Sequence, residues 1–192
     1  MSTSSFVRRF INQLQDGQMF TTRDLLCFGS RTAIDQCLRH QIKQGNIERM
    51  ARGVFMRGDE TTPRPSDIEI ARVKAAAFGK ELSIHGEALA AQFKLPSSQK
   101  VDTITFWVNG NSASEFKIDN TRVILKPVRA RMIQLIKQGG PGLSLAALAH
   151  LGKKKVTRSE IMMTASFSNH EREKLRESLK AVPQWLSKFY LN

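Results

Sequence analysis

Residues 29–56, GSRTAIDQCLRHQIKQGNIERMARGVFM, decide how this chain is read. Ile34, Leu38 and Ile42 recur at helical spacing, with Cys37 at the edge of the stripe, and such a line anchors one helix face in a small core. The opposite face carries Thr32, Gln36, Arg39, His40 and Lys43, side chains able to hydrogen-bond base edges or phosphates. Ser30 stands where an N-cap is needed, and Gly45-Asn46 end the helix with residues that tolerate a left-handed backbone. Two short strands are predicted next, Ile47–Met50 and Gly53–Met56, with Arg49, Arg52 and Arg57 along or beside the turn. The expectation is a recognition helix running straight into a basic β-wing.

Upstream, a helix from about Ser4 to Leu14 places Phe6, Phe10 and Leu14 on one face, with Ser4 or Ser5 as cap and Asp16-Gly17 as its end. Thr21 or Thr22 would cap a short helix through Leu25, Leu26 and Cys27, and Phe28-Gly29 make the turn into the helix that Ser30 caps. Short helix, tight turn, longer helix is the helix-turn-helix order, and the hairpin supplies the wing. Arg39 and Gln36 are the expected base readers, since bidentate Arg–guanine and Gln–adenine pairs are common solutions. Ser30 and Thr32 lie at the helix start, where hydroxyls and free N–H groups suit a phosphate. Arg31 and Lys43 are expected on backbone phosphate, and the Arg49–Arg52 wing on adjacent backbone or minor groove. Asp35 lies four residues from both Arg31 and Arg39 and can orient either.

After Met56 the composition shifts to the polar, Pro-rich run Gly58–Pro65, a connector. The expected division is a DNA-binding winged helix-turn-helix over 1–58 and an α+β domain over 66–192. In the second domain Ser66 and Asp67 would cap a helix over Ile68–Phe78, Leu82–Ile84 form a short strand, and Glu87–Phe93 form an alanine-rich helix. TITFWV, EFKI and RVILKPV read as three strands of a small antiparallel sheet, separated by Asn109-Gly110-Asn111 and Asp119-Asn120 turns. Helices are predicted over Leu143–Leu151, Ser159–Ala165 and His170–Lys180, with a last one after Pro183 carrying Trp185, Leu186 and Phe189. Thr157-x-x-Glu160 has the pattern of a capping box. The fold class is α+β.

The 192 residues carry 30 Lys+Arg against 17 Asp+Glu, a net charge of +13, which attracts polyanions through counterion release and steering. The excess is spread: residues 1–60 hold 9 basic and 6 acidic residues, and 139–192 hold 9 and 4. The rest of the chain therefore has the charge to touch nucleic acid or an acidic partner, or to be a basic surface and nothing more. Lys153-Lys154-Lys155 is the densest run, read either as a solvated turn or as a supplementary phosphate contact. No apolar stretch suggests a membrane span and MSTSSFVRRF lacks a secretory h-region, so a cytoplasmic location is expected. Cys27 and Cys37 fit small core residues better than a disulfide or metal pair.

Other chemistry is thin. His40, His85, His150 and His170 are scattered with no metal-ligand spacing, so no metal is expected. Phe106 and Trp107 offer stacking surfaces, although core packing is the plainer reading of a strand. Gly139-Gly140-Pro141-Gly142 lacks the Lys-Ser/Thr of a P-loop and reads as a connector. Glu81, Glu87 and Asp102 make no nuclease pattern, and Ser83-Ile84-His85 and Ser97-Ser98 lack a nucleophile-elbow context. No catalytic residue and no cofactor are expected.

The run GSRTAIDQCLRHQIKQGNIERMARGVF resembles the N-terminal winged helix of the AbiEi-type antitoxins and their uncharacterised relatives. The later order is similar too: HGEALAAQFKLPSS (85–98), VDTITFWVNG (101–110), FKIDNTRVILKPV (116–128), LAALAHLGKKKVT (145–157) and VPQWLSKFYLN (182–192). The resemblance implies a bacterial repressor that binds inverted repeats of its own promoter through the N-terminal domain. It implies a C-terminal domain that opposes a nucleotidyltransferase-like toxin without a stable complex, and no enzymatic activity. DNA contacts carry over to the Arg31–Lys43 and Arg49–Arg52 stretches. The residues themselves also admit an interaction protein whose C-terminal domain binds a protein or RNA partner.

Overall fold

Ser2 starts the first helix in the computed structural model, which describes residues 2–97, 102–164 and 175–191. Its hydroxyl accepts the Ser5 N–H, so the cap lies ahead of the serines expected to provide it, and α1 spans Thr3–Gln13. The chain continues through β1 (Met19–Thr21), a 3-10 helix (Thr22–Phe28), α2 (Arg31–Lys43), β2 (Ile47–Ala51), β3 (Val54–Arg57) and α3 (Asp67–Ala76). Then come β4 (Leu82–Ile84), α4 (Gly86–Gln92), β5 (Thr103–Val108), β6 (Ser114–Ile118) and β7 (Thr121–Pro127). Helices α5 (Ala130–Lys137), α6 (Pro141–Leu151), α7 (Arg158–Thr164) and α8 (Gln184–Leu191) complete an α+β fold. The expected helix over His170–Lys180 lies partly outside the described residues; 175–178 are helical.

Packing divides the chain into two units, residues 1–81 with 115–123, and residues 82–114 with 124–192. In the first, Ile34 and Leu38 of α2 join Val7, Ile11, Phe20, Leu25, Ile47 and Phe55 in one buried cluster. The α2 stripe read from the sequence is thus the core line, with Ile42 and Cys37 half-buried beside it. On α1 the fully buried pair is Val7 and Ile11, while Phe10 and Leu14 flank the cluster and Phe6 stacks on Phe28. The short helix is 3-10, whose three-residue turn sets Thr22 and Leu25 inward and leaves Leu26 and Cys27 exposed. Cys27 is therefore no core residue. Both cysteines are free.

A third strand is present that the sequence did not advertise: β1 pairs with β3, giving the order β1-β3-β2. Phe20 lies opposite Phe55 with their rings 5.6 Å apart. Helix α3 packs on β1 and β3, which is why Val54, Phe55 and Met56 are all buried instead of alternating. The packing division thus falls after Glu81, not in the 58–66 connector. That connector is itself tied down, because Arg64 forks onto Asp119 at 2.7 and 2.9 Å and reaches Glu48 at 3.2 Å.

The second sheet has the order β4-β5-β7-β6. It is mixed, not purely antiparallel as expected, because the two reversals around β6 return β7 to the direction of β5. In the second unit a buried cluster joins Leu89 and Ala90 of α4, Leu135 of α5, Leu145–Leu148 of α6, Ile161 and Leu186. Helix α5 was not anticipated. Gly139-Gly140 make the tight turn between α5 and α6, Pro141 and Gly142 open α6, and a Cβ on Gly142 would strike the Leu135 carbonyl. The capping box at Thr157 forms, with its N–H 2.6 Å from Glu160 Oε2. Phe106 and Trp107 are both buried.

Gly86 is the tightest point of the second unit, since a Cβ there would overlap the His150 side chain and Trp107 Cη2. Gly86→Ala is expected to cost about 1–3 kcal/mol through overpacking, read as a lower urea midpoint. An unchanged midpoint would mean that the α4–α6 contact yields freely.

Candidate functional site

Helix α2 is fixed at both ends by its own sequence. The Ser30 hydroxyl accepts the Ala33 N–H at 3.3 Å. At the other end Gly45, at φ +72°, closes a Schellman turn in which Asn46 N–H reaches the Gln41 carbonyl and Gly45 N–H the Ile42 carbonyl. With Ile34 and Leu38 inward, Arg31, Thr32, Gln36, Arg39, His40 and Lys43 are all exposed. Asp35 takes the Arg31 Nε at 3.2 Å, not Arg39. An ion pair this exposed contributes little stability, so its main effect is to fix where Arg31 points.

The β2–β3 hairpin turns through Arg52 and Gly53, the latter at φ +78°, and the register shifts between Arg49 and Ala51. Bulge and turn together aim Arg49 and Arg52 toward α2. Arg31, Arg39, Arg49 and Arg52 line one concavity of about 190 Å³, with Asp35, Gly53, Phe55 and Thr22. Four of the expected contact residues are thus brought together. Thr32, Gln36, His40 and Lys43 stay on the open helix face outside it, and the Ser30 hydroxyl is engaged by its cap. Arg57 is drawn away, pairing with Asp16 at 3.0 Å and donating to the Ile11 carbonyl at 2.7 Å.

Sequence reading missed a fifth cation. Lys74 of α3 donates its ammonium to the Arg52 carbonyl and lies over the Phe78 and Phe116 rings, at 5.7 and 5.8 Å. Partial burial, then the positive fields of Arg52, Arg31 and Arg49, hold its pKa below the ordinary lysine value. A lysine destabilised by three guanidinium groups marks a site where positive charge exceeds local compensation. Among the described residues, Arg39, Arg49 and Arg52 make no ion pair. An entering anion would relieve that crowding. Thr22, from the 3-10 helix, was also missed: its buried hydroxyl has no hydrogen-bond partner. Neither residue has a sequence signal, because each reaches the hairpin through tertiary packing.

A second polar cluster lies in the second unit. His85 packs against Trp107 and His150, with ring centroids 5.1 and 4.8 Å away, and His150 Nε2 meets Glu87 Oε2 at 2.9 Å. The Glu87 N–H donates to His85 Nδ1 at 3.2 Å, and His85 Nε2 is buried without a partner. Histidines read as scattered thus converge, save His40 on α2 and His170, which is outside the described residues. Among the described residues no group of three or more His, Cys, Asp or Glu is placed to hold a metal. No helix among them is long and apolar enough to cross a membrane. Lys153–Lys155 are exposed in the turn between α6 and α7.

Comparisons of the chain with protein-family models, with curated proteins and with solved structures return no match.

Burial, followed by His150 and Lys126, lowers the His85 pKa from 6.5 to about 4. Below pH 6.5 the unfolded chain binds a proton that the folded one refuses. Stability is therefore complete above that value and falls as pH drops toward about 4, by up to ~3 kcal/mol at about 1.4 kcal/mol per unit. The window between pH 6.5 and 5 separates this from most carboxylates. The melting temperature should fall there, and His85→Gln should flatten the slope. An equal slope in both proteins would assign the acid sensitivity elsewhere.

Proposed function

We propose that the first unit is a winged-helix module that binds duplex DNA sequence-specifically, and that the chain is a transcriptional repressor of the AbiEi-type antitoxin kind. The observation that carries this reading is the concavity in which Arg31 and Arg39 of α2 meet Arg49 and Arg52 of the β2–β3 hairpin. The open polar face of α2 continues directly from it. Helix α2 would lie in the major groove, with Gln36 and Arg39 on base edges and Arg31, Thr32 and Lys43 on phosphates. The hairpin would follow the adjacent backbone or minor groove. The alternation of fixed ends and free face favours such a role, because a reading helix must be held rigidly while its donors stay unpaired.

The antitoxin half of the proposal rests on the family resemblance. It assigns the chain a bacterial cytoplasmic setting, an operator of inverted repeats in its own promoter, and no catalysis. It assigns the second unit a cognate nucleotidyltransferase-like toxin to oppose without a lasting complex.

The test is fluorescence anisotropy of the full chain on its own upstream DNA against a scrambled duplex, across a salt series. Preference for the upstream duplex should survive near-physiological salt. Arg39→Ala should lower that preference roughly 10-fold, the size of one bidentate base contact, whereas Lys43→Ala should weaken both duplexes alike. Equal, steeply salt-sensitive binding to both duplexes by the unaltered protein would overturn the repressor reading.

A further inference from the structure

Gly53 is bare where two polar groups from other elements converge. The position a Cβ would take on Gly53 lies 3.5 Å from Thr22 Oγ1 and 3.6 Å from Lys74 Nζ. Thr22 is 3% exposed, lines the arginine concavity, and its hydroxyl has no partner. A hydroxyl that closes its own shell elsewhere is the rule for buried threonines, so an orphaned one facing a cavity marks a place for a missing acceptor. The Thr22 N–H is already taken by the Gly53 carbonyl at 3.1 Å, which fixes the hydroxyl against the turn. Lys74 is held from the other side by the Arg52 carbonyl and the Phe116 ring.

The donors around this point have one character. Thr22 offers an O–H, Lys74 an ammonium, and Arg52, Arg49 and Arg31 offer guanidinium N–H groups. Asp35 is the carboxylate lining the same concavity, and it is committed to Arg31. Donors in excess of the acceptors beside them, gathered at a glycine, suit a tetrahedral oxyanion.

We infer that Thr22 and Lys74, with Arg31, Arg49 and Arg52, form a phosphate seat at Gly53 that takes a backbone phosphodiester oxygen of the bound duplex. This rests on the DNA-binding reading above and adds to it the contact that fixes the hairpin on the backbone. The seat is non-reading: it positions α2 and carries no sequence information. The same chemistry would accept free inorganic phosphate or pyrophosphate, and the choice between the sources is experimental. A backbone phosphate is favoured because the seat opens beside a helix face whose donors would be occupied by the same strand.

The test uses the full chain with Thr22→Val and Lys74→Met. Thr22→Val removes a hydroxyl that bonds to nothing in the free protein, so its melting temperature should be unchanged or higher while duplex affinity falls roughly 3- to 10-fold. Lys74→Met should lower affinity for upstream and scrambled duplexes alike and reduce the salt slope by about one. A circular-dichroism melt shows that each variant is folded. If the unaltered protein binds DNA and both variants match it in affinity and slope, the seat is not used, and the inference fails while the DNA reading stands. If millimolar inorganic phosphate or pyrophosphate raises the melting temperature only when Thr22 and Lys74 are intact, yet DNA binding ignores both, the occupant is a free anion and the inference is overturned. If the unaltered protein prefers no duplex over another and binds none at physiological salt, the DNA reading fails first.

Discussion

The left-handed turn at Gly53 is the constraint on which the first unit's surface depends. At φ +78° only glycine sits without strain, and Thr22 of the 3-10 helix and Lys74 of α3 meet the hairpin at this turn. The turn registers β2 against β3, and with the bulge next to Arg49 it sends two arginines toward α2. It also leaves its carbonyl free to hold the Thr22 N–H, so the hairpin is bonded to the helix that precedes α2. A side chain here would loosen all three relations together. That is more than a turn residue usually controls.

The second organising point is charge. Arg31, Arg39, Arg49, Arg52 and Lys74 repel one another, and Asp35 offsets Arg31 alone. Such crowding is tolerated because the four arginines are exposed to solvent, where the cost of each pair is small. It also stores a preference: any polyanion that enters is attracted by the whole cluster while replacing only the water around it. Stability gained elsewhere in the unit holds the arrangement, through the buried line of Ile34 and Leu38 against Val7, Ile11 and Phe55. Fold and site therefore use opposite faces of one helix.

How much of this was legible follows from the range of each interaction. Helix α2, its caps, and the β2–β3 hairpin are written in local spacing and turn chemistry, and all were read correctly in outline. β1 is three residues of Met-Phe-Thr, too short to show a period, and exists because Phe20 finds Phe55. α3 has the composition of a helix but no mark of which side it packs on, so nothing local ties it to the strands β1 and β3. α5 was missed because Met132, Ile133, Leu135 and Ile136 cluster without a cap, and nothing local separates them from the preceding strand. Glu87 and His150 stand 63 residues apart, so their pairing with His85 and Trp107 is a property of the second unit's packing alone. Lys74 was invisible for the same reason.

The extent of the basic surface bears on what it would hold. A single phosphate or nucleotide needs only the concavity at Gly53, and the donors there would satisfy it. The exposed row does not stop there. From Arg31 to Lys43 the polar face of α2 runs about 18 Å at 1.5 Å per residue, with Thr32, Gln36, Arg39 and His40 between. A small anion leaves most of that row unused. A polymer with a charge on every unit, and with base edges displayed between its two backbones, would engage both the seat and the row at once. On the proposed reading, a donor-rich concavity beside an open face of mixed donors and acceptors would suit duplex DNA better than a lone phosphate, because the duplex would offer one chemistry to each.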